Sequence, residues 1–328
     1  MSNQQKIILN DRNWASLKYG MADFLLKNAF SNEKLNHKVK PYQTIYHYTD
    51  FNGLIAILES QSFFCTNINF LNDRKEFNHG VELVKENINS IIESKENNGI
   101  LKYLKSEIDS ILDIDRYVTC FSKNGDLLSQ WRSYGNQGKG IAIGFAPHEM
   151  EDSIADEVFG MDIVYNPEIQ NGIIEEYLKI IPQYFEQNKE LFDWGNYNYD
   201  YLVAKSTIEF IEGAIATFKH PSFIEEEEFR IEYKFDGILN KTKEKEILFR
   251  SSDNLIIPYV KLFSKFTEEN NECDNQKHTD FGTKLPLKEI ILGPSLDFEI
   301  NKVGIEKLLS KTNYSNIKIK QSAIPYRI

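Results

Sequence analysis

The stretch Thr44–Phe77, TIYHYTDFNGLIAILESQSFFCTNINFLNDRKEF, constrains this chain more than any other, because it sets chemically competent side chains at both ends of a compact apolar unit. Ile45, His47 and Thr49 alternate with Tyr46 and Tyr48, which predicts a short strand whose polar residues emerge at its C-terminal end. Thr49 and Asp50 are placed to cap a helix. Phe51, Leu54, Ile55 and Leu58 recur at i, i+3, i+4 and i+7, so that helix has one apolar face to lay on the strand. A second strand, Phe63–Thr66, follows a turn at Ser60–Ser62. Leu71, Asn72 and Asp73 then open another helix, with Asp73 and Glu76 at capping-box spacing and Phe77, Val81, Val84 and Ile88 as its inner stripe. His47, Thr49, Asn72 and Asp73 thus fall at element ends, where chemistry resides more often than in strand middles.

Further along, the pattern interleaves helices and strands irregularly. A helix-like segment around Trp14–Phe30 and the polar hinge SNEKLNHKVKP read as an N-terminal helical cap over residues 1–40, with residues 41–328 as one α+β domain. Residues 78–112 read as helix broken near Glu96–Gly99, and Tyr117–Ser122 and Gly140–Phe145 as strands on either side of a helical turn, LLSQWRSYG. Met161–Tyr165 reads as a strand, and Gly172–Asn188 and Tyr199–Phe218 as helices, the first kinked or ended by Pro182. The tail carries an exposed linker, Glu268–His278, a strand at Glu289–Leu292, a helix near Glu299–Ser310 and a strand near Ile317–Ile324. The expected fold class is α+β, a bent mixed β-sheet core with flanking helices.

Composition narrows the function classes. The 328 residues are 41% hydrophobic and 13% aromatic, with 22 Phe and 17 Tyr, enough for a full core and for rings to stack on a ligand. A net charge of -11 argues against nucleic-acid binding through bulk charge. Cys65, Cys120 and Cys273 lack metal-ligand spacing and read as reduced packing residues of a cytoplasmic protein. No run has the length of a membrane span, the N-terminus has no basic and apolar leader pattern, and no metal site is expected.

Four constellations have residue types suited to chemistry. His47, at a strand end beside Thr49, can hydrogen-bond a ribose or carbonyl; a structurally satisfied histidine competes with that reading. In SKNGDLLSQWRSYGNQGKG, Ser122–Gly140, Trp131 and Tyr134 share a helical face and can stack on a base or nicotinamide, with Arg132 nearby for phosphate; core packing competes. GNQGKG looks like a phosphate cradle but lies after a helix and before a strand, the reverse of a P-loop.

The third constellation is EEEEFRIEYKF, Glu225–Phe235. It puts Phe229, Ile231, Tyr233 and Phe235 on one face and Glu228, Arg230, Glu232 and Lys234 on the other, predicting a half-buried strand with an ionic face, and the same alternation places Glu226 on the side of Glu228 and Arg230. A carboxylate there can hold a ribose hydroxyl, stabilise an oxocarbenium-like centre or act as a base, and a solvated charge run competes. The fourth, Asn72-Asp73, is most simply a helix cap.

Taken together, HYT, LNDxxEF, the TCFS strand followed by WxxYGxxxxGxxIGF, ExExR and a closing IPYR resemble the bacterial family of domains of unknown function numbered two-nine-seven-one, over about residues 44–327. More distantly, an early His-x-Thr strand, an aromatic segment after a Ser-containing strand and a late ExE strand are similar to ADP-ribosyltransferases of the His-Tyr-Glu type. That resemblance implies an ADP-ribosyltransferase-like fold and an intracellular enzyme that consumes NAD as its substrate, an ADP-ribosyltransferase or NAD glycohydrolase serving as a toxin or phage-defence effector. His47 and Thr49 would hold NAD, with Ser122, Arg132 and Arg230 as further binding residues. Tyr134 or Trp131 would stack on nicotinamide, Glu228 would be catalytic, and Glu226 would address an acceptor: protein, nucleic acid, small molecule or water. Tyr48, after the histidine, and a helix-borne WxxY depart from that pattern. The runner-up reading is a metal-independent nuclease or glycosidase using Glu226, Glu228 and His47, and a third is a non-catalytic nucleotide-sensing or partner-binding module. With Phe229 and Ile231 anchoring the strand in the core, Glu228→Gln is expected barely to change folding.

Overall fold

The computed structural model describes residues 6–8, 10, 13–14, 16–18, 20–21, 24, 43–71, 74–94, 99–108, 116–154, 159–234, 246–252, 254–265 and 284–326. In chain order the main elements begin with β1 (Ile7–Ile8), β2 (Ile45–Thr49), α1 (Phe51–Ser60), β3 (Ser62–Asn67), α2 (Arg74–Ser94), α3 (Gly99–Glu107), β4 (Arg116–Ser122), α4 (Leu128–Ser133), β5 (Ile141–Phe145) and β6 (Phe159–Asp162). They continue with α5 (Pro167–Asn188), β7 (Phe192–Asp193), α6 (Tyr199–Ile215), β8 (Glu228–Lys234), β9 (Leu248–Ser252), β10 (Leu255–Phe263), β11 (Leu287–Leu292), α7 (Phe298–Lys311) and β12 (Lys318–Gln321). The class is mixed α+β, as expected.

The chain divides into two compact units rather than at residue 40. One gathers Met1–Lys38, Asp73–Ile114 and Val164–Pro221; the other gathers Val39–Asn72, Asp115–Ile163 and Ser222–Ile328. The first unit is helical, built from α2, α3, α5 and α6, with β1 and β7 paired in parallel. Leu17 and Met21 are buried with Ile181, Phe185 and Val203 in this unit's core. Asn166 caps α5 by accepting from the Glu168 and Ile169 amides, and the helix runs through Pro182 without ending there, anchored by Ile181 and Phe185 on either side.

The second unit is the sheet, whose described strands run β12-β11-β5-β2-β4-β3-β10-β9, with β8 on β4 and β6 on β8. All pairs in it are antiparallel except β11 with β12. Asp50 alone caps α1, accepting from the Gly53 amide at 2.8 Å, while Thr49 closes β2. The buried stripe of α1 is Leu54, Ile57 and Leu58, one step round from the expected one, and Ile55 is 42% exposed. Burial of such aliphatic side chains stabilises the fold by about 1.5–3 kcal/mol each. They join Phe63, Phe121, Phe145, Phe229, Ile231 and Tyr233 in one core.

Other boundaries moved. β8 begins at Glu228, because Ser222–Glu226 lie in a 3-10 turn and Glu227 has φ 44°. The Met161–Tyr165 strand is centred earlier, at Phe159–Asp162. The β9–β10 hairpin was not expected. Asn72, Asp73, Phe235, Arg327 and the linker Glu268–His278 lie outside the described residues.

GNQGKG is a helix-to-strand connection and not a phosphate cradle. The amides of Gly138 and Gly140 both donate to the Gly135 carbonyl, and Gly293 and Ser295 donate to the Gly140 and Gly138 carbonyls. A Cβ on Gly293 would run into those two carbonyls, so Gly293→Ala is expected to destabilise the protein by about 1–3 kcal/mol. Gly304→Ala, inside α7 where nothing lies within 4 Å, should instead be neutral or stabilising by up to about 1 kcal/mol. Urea unfolding of the two variants checks both signs.

Candidate functional site

The sheet branches at β4. One edge of β4 pairs with β8 over its whole length, from Arg116 opposite Lys234 to Ser122 opposite Glu228. The other edge is shared: Ser122 pairs with Tyr46 of β2, and Val118 and Tyr117 pair with Thr66 and Asn67 of β3. Between those contacts β2 and β3 part, leaving a gap at Cys120. A strand carbonyl needs a donor there. His47 supplies it, with Nδ1 2.9 Å from the Cys120 carbonyl oxygen.

That bond fixes the imidazole's state. Burial holds the His47 pKa below its usual value; the carbonyl opposes this, and the Arg250 guanidinium depresses it further. His47 is therefore neutral near pH 7, with its proton on Nδ1 facing the carbonyl and a lone pair on Nε2. Nε2 has no hydrogen-bond partner among the described residues, and its lone pair can accept a hydrogen bond. The ring also rests edge-on against Phe121, with centroids 5.7 Å apart.

Register sorts the other residues by face. Tyr46, Ser122 and Glu228 form one row across β2, β4 and β8; Cys120 and Arg230 form the next, and Thr66, Val118 and Glu232 the third. Residues directly opposite share a face. His47, next to Tyr46 on β2, alternates to the opposite face, where its ring meets Phe121, and it reaches the gap through its bond to the Cys120 backbone carbonyl.

The ionic face of β8 is buried, contrary to the half-buried strand expected. Glu228 is 5% exposed and Arg230 2%, and they form a two-pronged pair: Nε donates to Oε1 at 2.6 Å and Nη2 to Oε2 at 3.2 Å. Arg116 and Glu232 make a second buried pair beside it. Ser122 is buried too, its Oγ accepting from the Asn124 amide. Glu226 is half-buried on the turn before β8, so strand alternation does not put it beside Glu228.

The expected aromatic pair comes apart. Trp131 is fully buried; its Nε1 donates to Asp126 Oδ1 at 2.7 Å and its ring meets Tyr48 at 4.8 Å, in a cluster with Ala142 and Ile291. The structure corrects its assignment as a stacking residue: its face is already covered. Tyr134 follows the end of α4 and is 37% exposed. Arg132 is exposed and lies over the Tyr326 ring at 5.3 Å, joining the WxxY and IPYR motifs. Thr49 packs on Gly53 at the start of α1.

Two contributors were missed. Asp126 accepts from Trp131 Nε1, Ser322 Oγ and the Ala323 amide, tying α4 to the C-terminal segment. Arg250, on β9, donates to Thr66 Oγ1 at 3.1 Å beside the gap. The β9 strand was itself legible, since Ser-Ser-Asp-Asn separates two apolar runs.

Residues 130–231 match the model of a family described as a protein of unknown function (DUF2971), the family that the chain's motifs resemble. The matched segment carries WxxYG, IGF and ExExR; the HYT, LND and IPYR motifs lie outside it. No curated protein and no solved structure matches the chain. Among the described residues, no cluster of three His, Cys, Asp or Glu is arranged to hold a metal ion, and no helix is long and apolar enough to cross a membrane.

Burial of the Glu228–Arg230 pair changes what a substitution there does. Glu228→Gln strands the Arg230 guanidinium and is expected to cost about 3–5 kcal/mol of stability, so the sequence-based expectation of unchanged folding is withdrawn. The double variant Glu228→Gln/Arg230→Gln removes both charges and should recover most of that loss. Denaturant midpoints of wild type, both singles and the double check this cycle; singles that unfold with the wild type would contradict it.

Proposed function

We propose that this chain binds NAD at the gap between β2 and β3 and cleaves its nicotinamide–ribose bond, as an ADP-ribosyltransferase or NAD glycohydrolase with an ADP-ribosyltransferase-like arrangement of strands. The observation that carries this is the adjacency of β2, β4 and β8: His47 closes the β4 ladder one residue from the row in which Ser122 stands opposite Glu228. Two strand spacings, about 10 Å, separate the backbones of β2 and β8, within the span of one dinucleotide.

The residues present fit such a substrate in outline. His47 accepts from a ribose hydroxyl through Nε2. Glu228, held rigidly by Arg230 in surroundings with little water, stabilises the positive charge that develops at the anomeric carbon as nicotinamide leaves. Tyr134 remains as the exposed aromatic of the WxxY segment. The acceptor of the ADP-ribosyl group is a protein, a nucleic acid, a small molecule or water.

A second reading has its own observation. Both Glu228 oxygens are engaged by Arg230 and the pair is nearly inaccessible, which favours a module that senses a nucleotide at His47 without turning it over.

Nicotinamide release from NAD by purified protein separates the two. Catalysis predicts steady release, lowered about 10²–10³-fold in the folded double variant Glu228→Gln/Arg230→Gln and unaltered in Glu227→Gln, whose side chain is exposed ahead of the strand. A wild type that NAD stabilises against heat but that releases no nicotinamide would decide for sensing.

A further inference from the structure

Among the described residues, Arg250 is a cation near the gap that is not committed to a carboxylate. Arg116 and Arg230 are each committed to a buried carboxylate. Arg250 is exposed, and among the described residues its guanidinium has no carboxylate partner; its hydrogen bond there goes to the neutral hydroxyl of Thr66. Thr66 is buried and stands opposite Val118, next to the Cys120 level that His47 closes. One donor thus tethers the guanidinium at the rim of the gap, and its remaining N–H groups are available to an anion. Its charge is close enough to His47 to disfavour the imidazolium.

We propose that Arg250 is the phosphate-binding residue of this site, held in place by Thr66 so that its fork meets a pyrophosphate oxygen while His47 Nε2 accepts from the attached ribose. The identity of the ligand as NAD rests on the function proposed above; the anion site itself rests on the geometry of Arg250, Thr66 and His47. A planar, bidentate donor suits phosphate oxygens and gains nothing from a neutral nucleoside. A guanidinium with only surface solubility to supply would have no reason to be tied to a buried hydroxyl.

The test is calorimetric binding of NAD, ADP and adenosine to the full chain and to Arg250→Gln, Arg250→Lys and Thr66→Val, each variant checked by its melting curve. Arg250→Gln should weaken NAD and ADP about 10–100-fold and leave adenosine unchanged. Arg250→Lys should recover part of the loss, because an ammonium keeps the charge but not the fork. Thr66→Val should weaken ADP less than Arg250→Gln does, again sparing adenosine. Equal affinities of wild type and Arg250→Gln for ADP, an equal loss for adenosine, or a wild type that does not bind ADP would each overturn the proposal. Nicotinamide release by wild type together with unchanged ADP binding by Arg250→Gln would sink this assignment alone. Selective loss of ADP binding in Arg250→Gln, with no nicotinamide release by wild type, would sustain it and sink the catalytic reading.

Discussion

A β-strand has two edges, and β4 serves three neighbours. β8 takes one edge entirely, so β2 and β3 divide the other and must separate where neither reaches. The Cys120 carbonyl falls in that interval, and His47 donates to it from its side chain. Much follows from this one bond. It satisfies a strand carbonyl where the sheet branches, it sets the histidine tautomer, and it leaves the Nε2 lone pair able to accept a hydrogen bond. A break in a sheet is also where a ligand can approach strand backbones that are elsewhere fully paired.

Behind the gap, β8 carries a second constraint. Glu228, Arg230 and Glu232 share one face and are buried, each answered by an opposite charge, while Phe229, Ile231 and Tyr233 fill the core on the other. Ion pairs so placed add little net stability over apolar residues of the same size, yet removing one partner is severe. Such an arrangement holds Glu228 in a single orientation, as either a reacting carboxylate or a purely structural one would require. Beside the gap, His47 is half-buried and Arg250 is exposed.

Local pattern made the strands legible, and burial did not follow from it. Alternation found β2, β4, β5 and β8 to within a few residues, and helical spacing found α1, α5, α6 and α7. The same alternation put Glu226 on the face of Glu228, and failed because Glu227 adopts a left-handed backbone that ends the strand parity before Glu228. Spacing of three put Trp131 and Tyr134 on one helical face, and failed because α4 ends between them. A charged face on a strand reads as solvated, and nothing in EEEEFRIEY says what will cover it. Arg250 was out of reach for a different reason: its place beside Thr66 and His47 depends on β9, β10 and β3 pairing across a long stretch of chain.

The proposed function requires a dinucleotide to sit at the gap beside β4. A crystal structure of the protein with a non-hydrolysable NAD analogue tests it most directly. The expected result is the analogue at the parting of β2 and β3, with a ribose hydroxyl within hydrogen-bonding distance of His47 Nε2 and the nicotinamide ribose facing Ser122 and Glu228. An analogue bound elsewhere, with the imidazole of His47 touching only Cys120 and Phe121, would contradict it and leave the histidine as a device for branching the sheet.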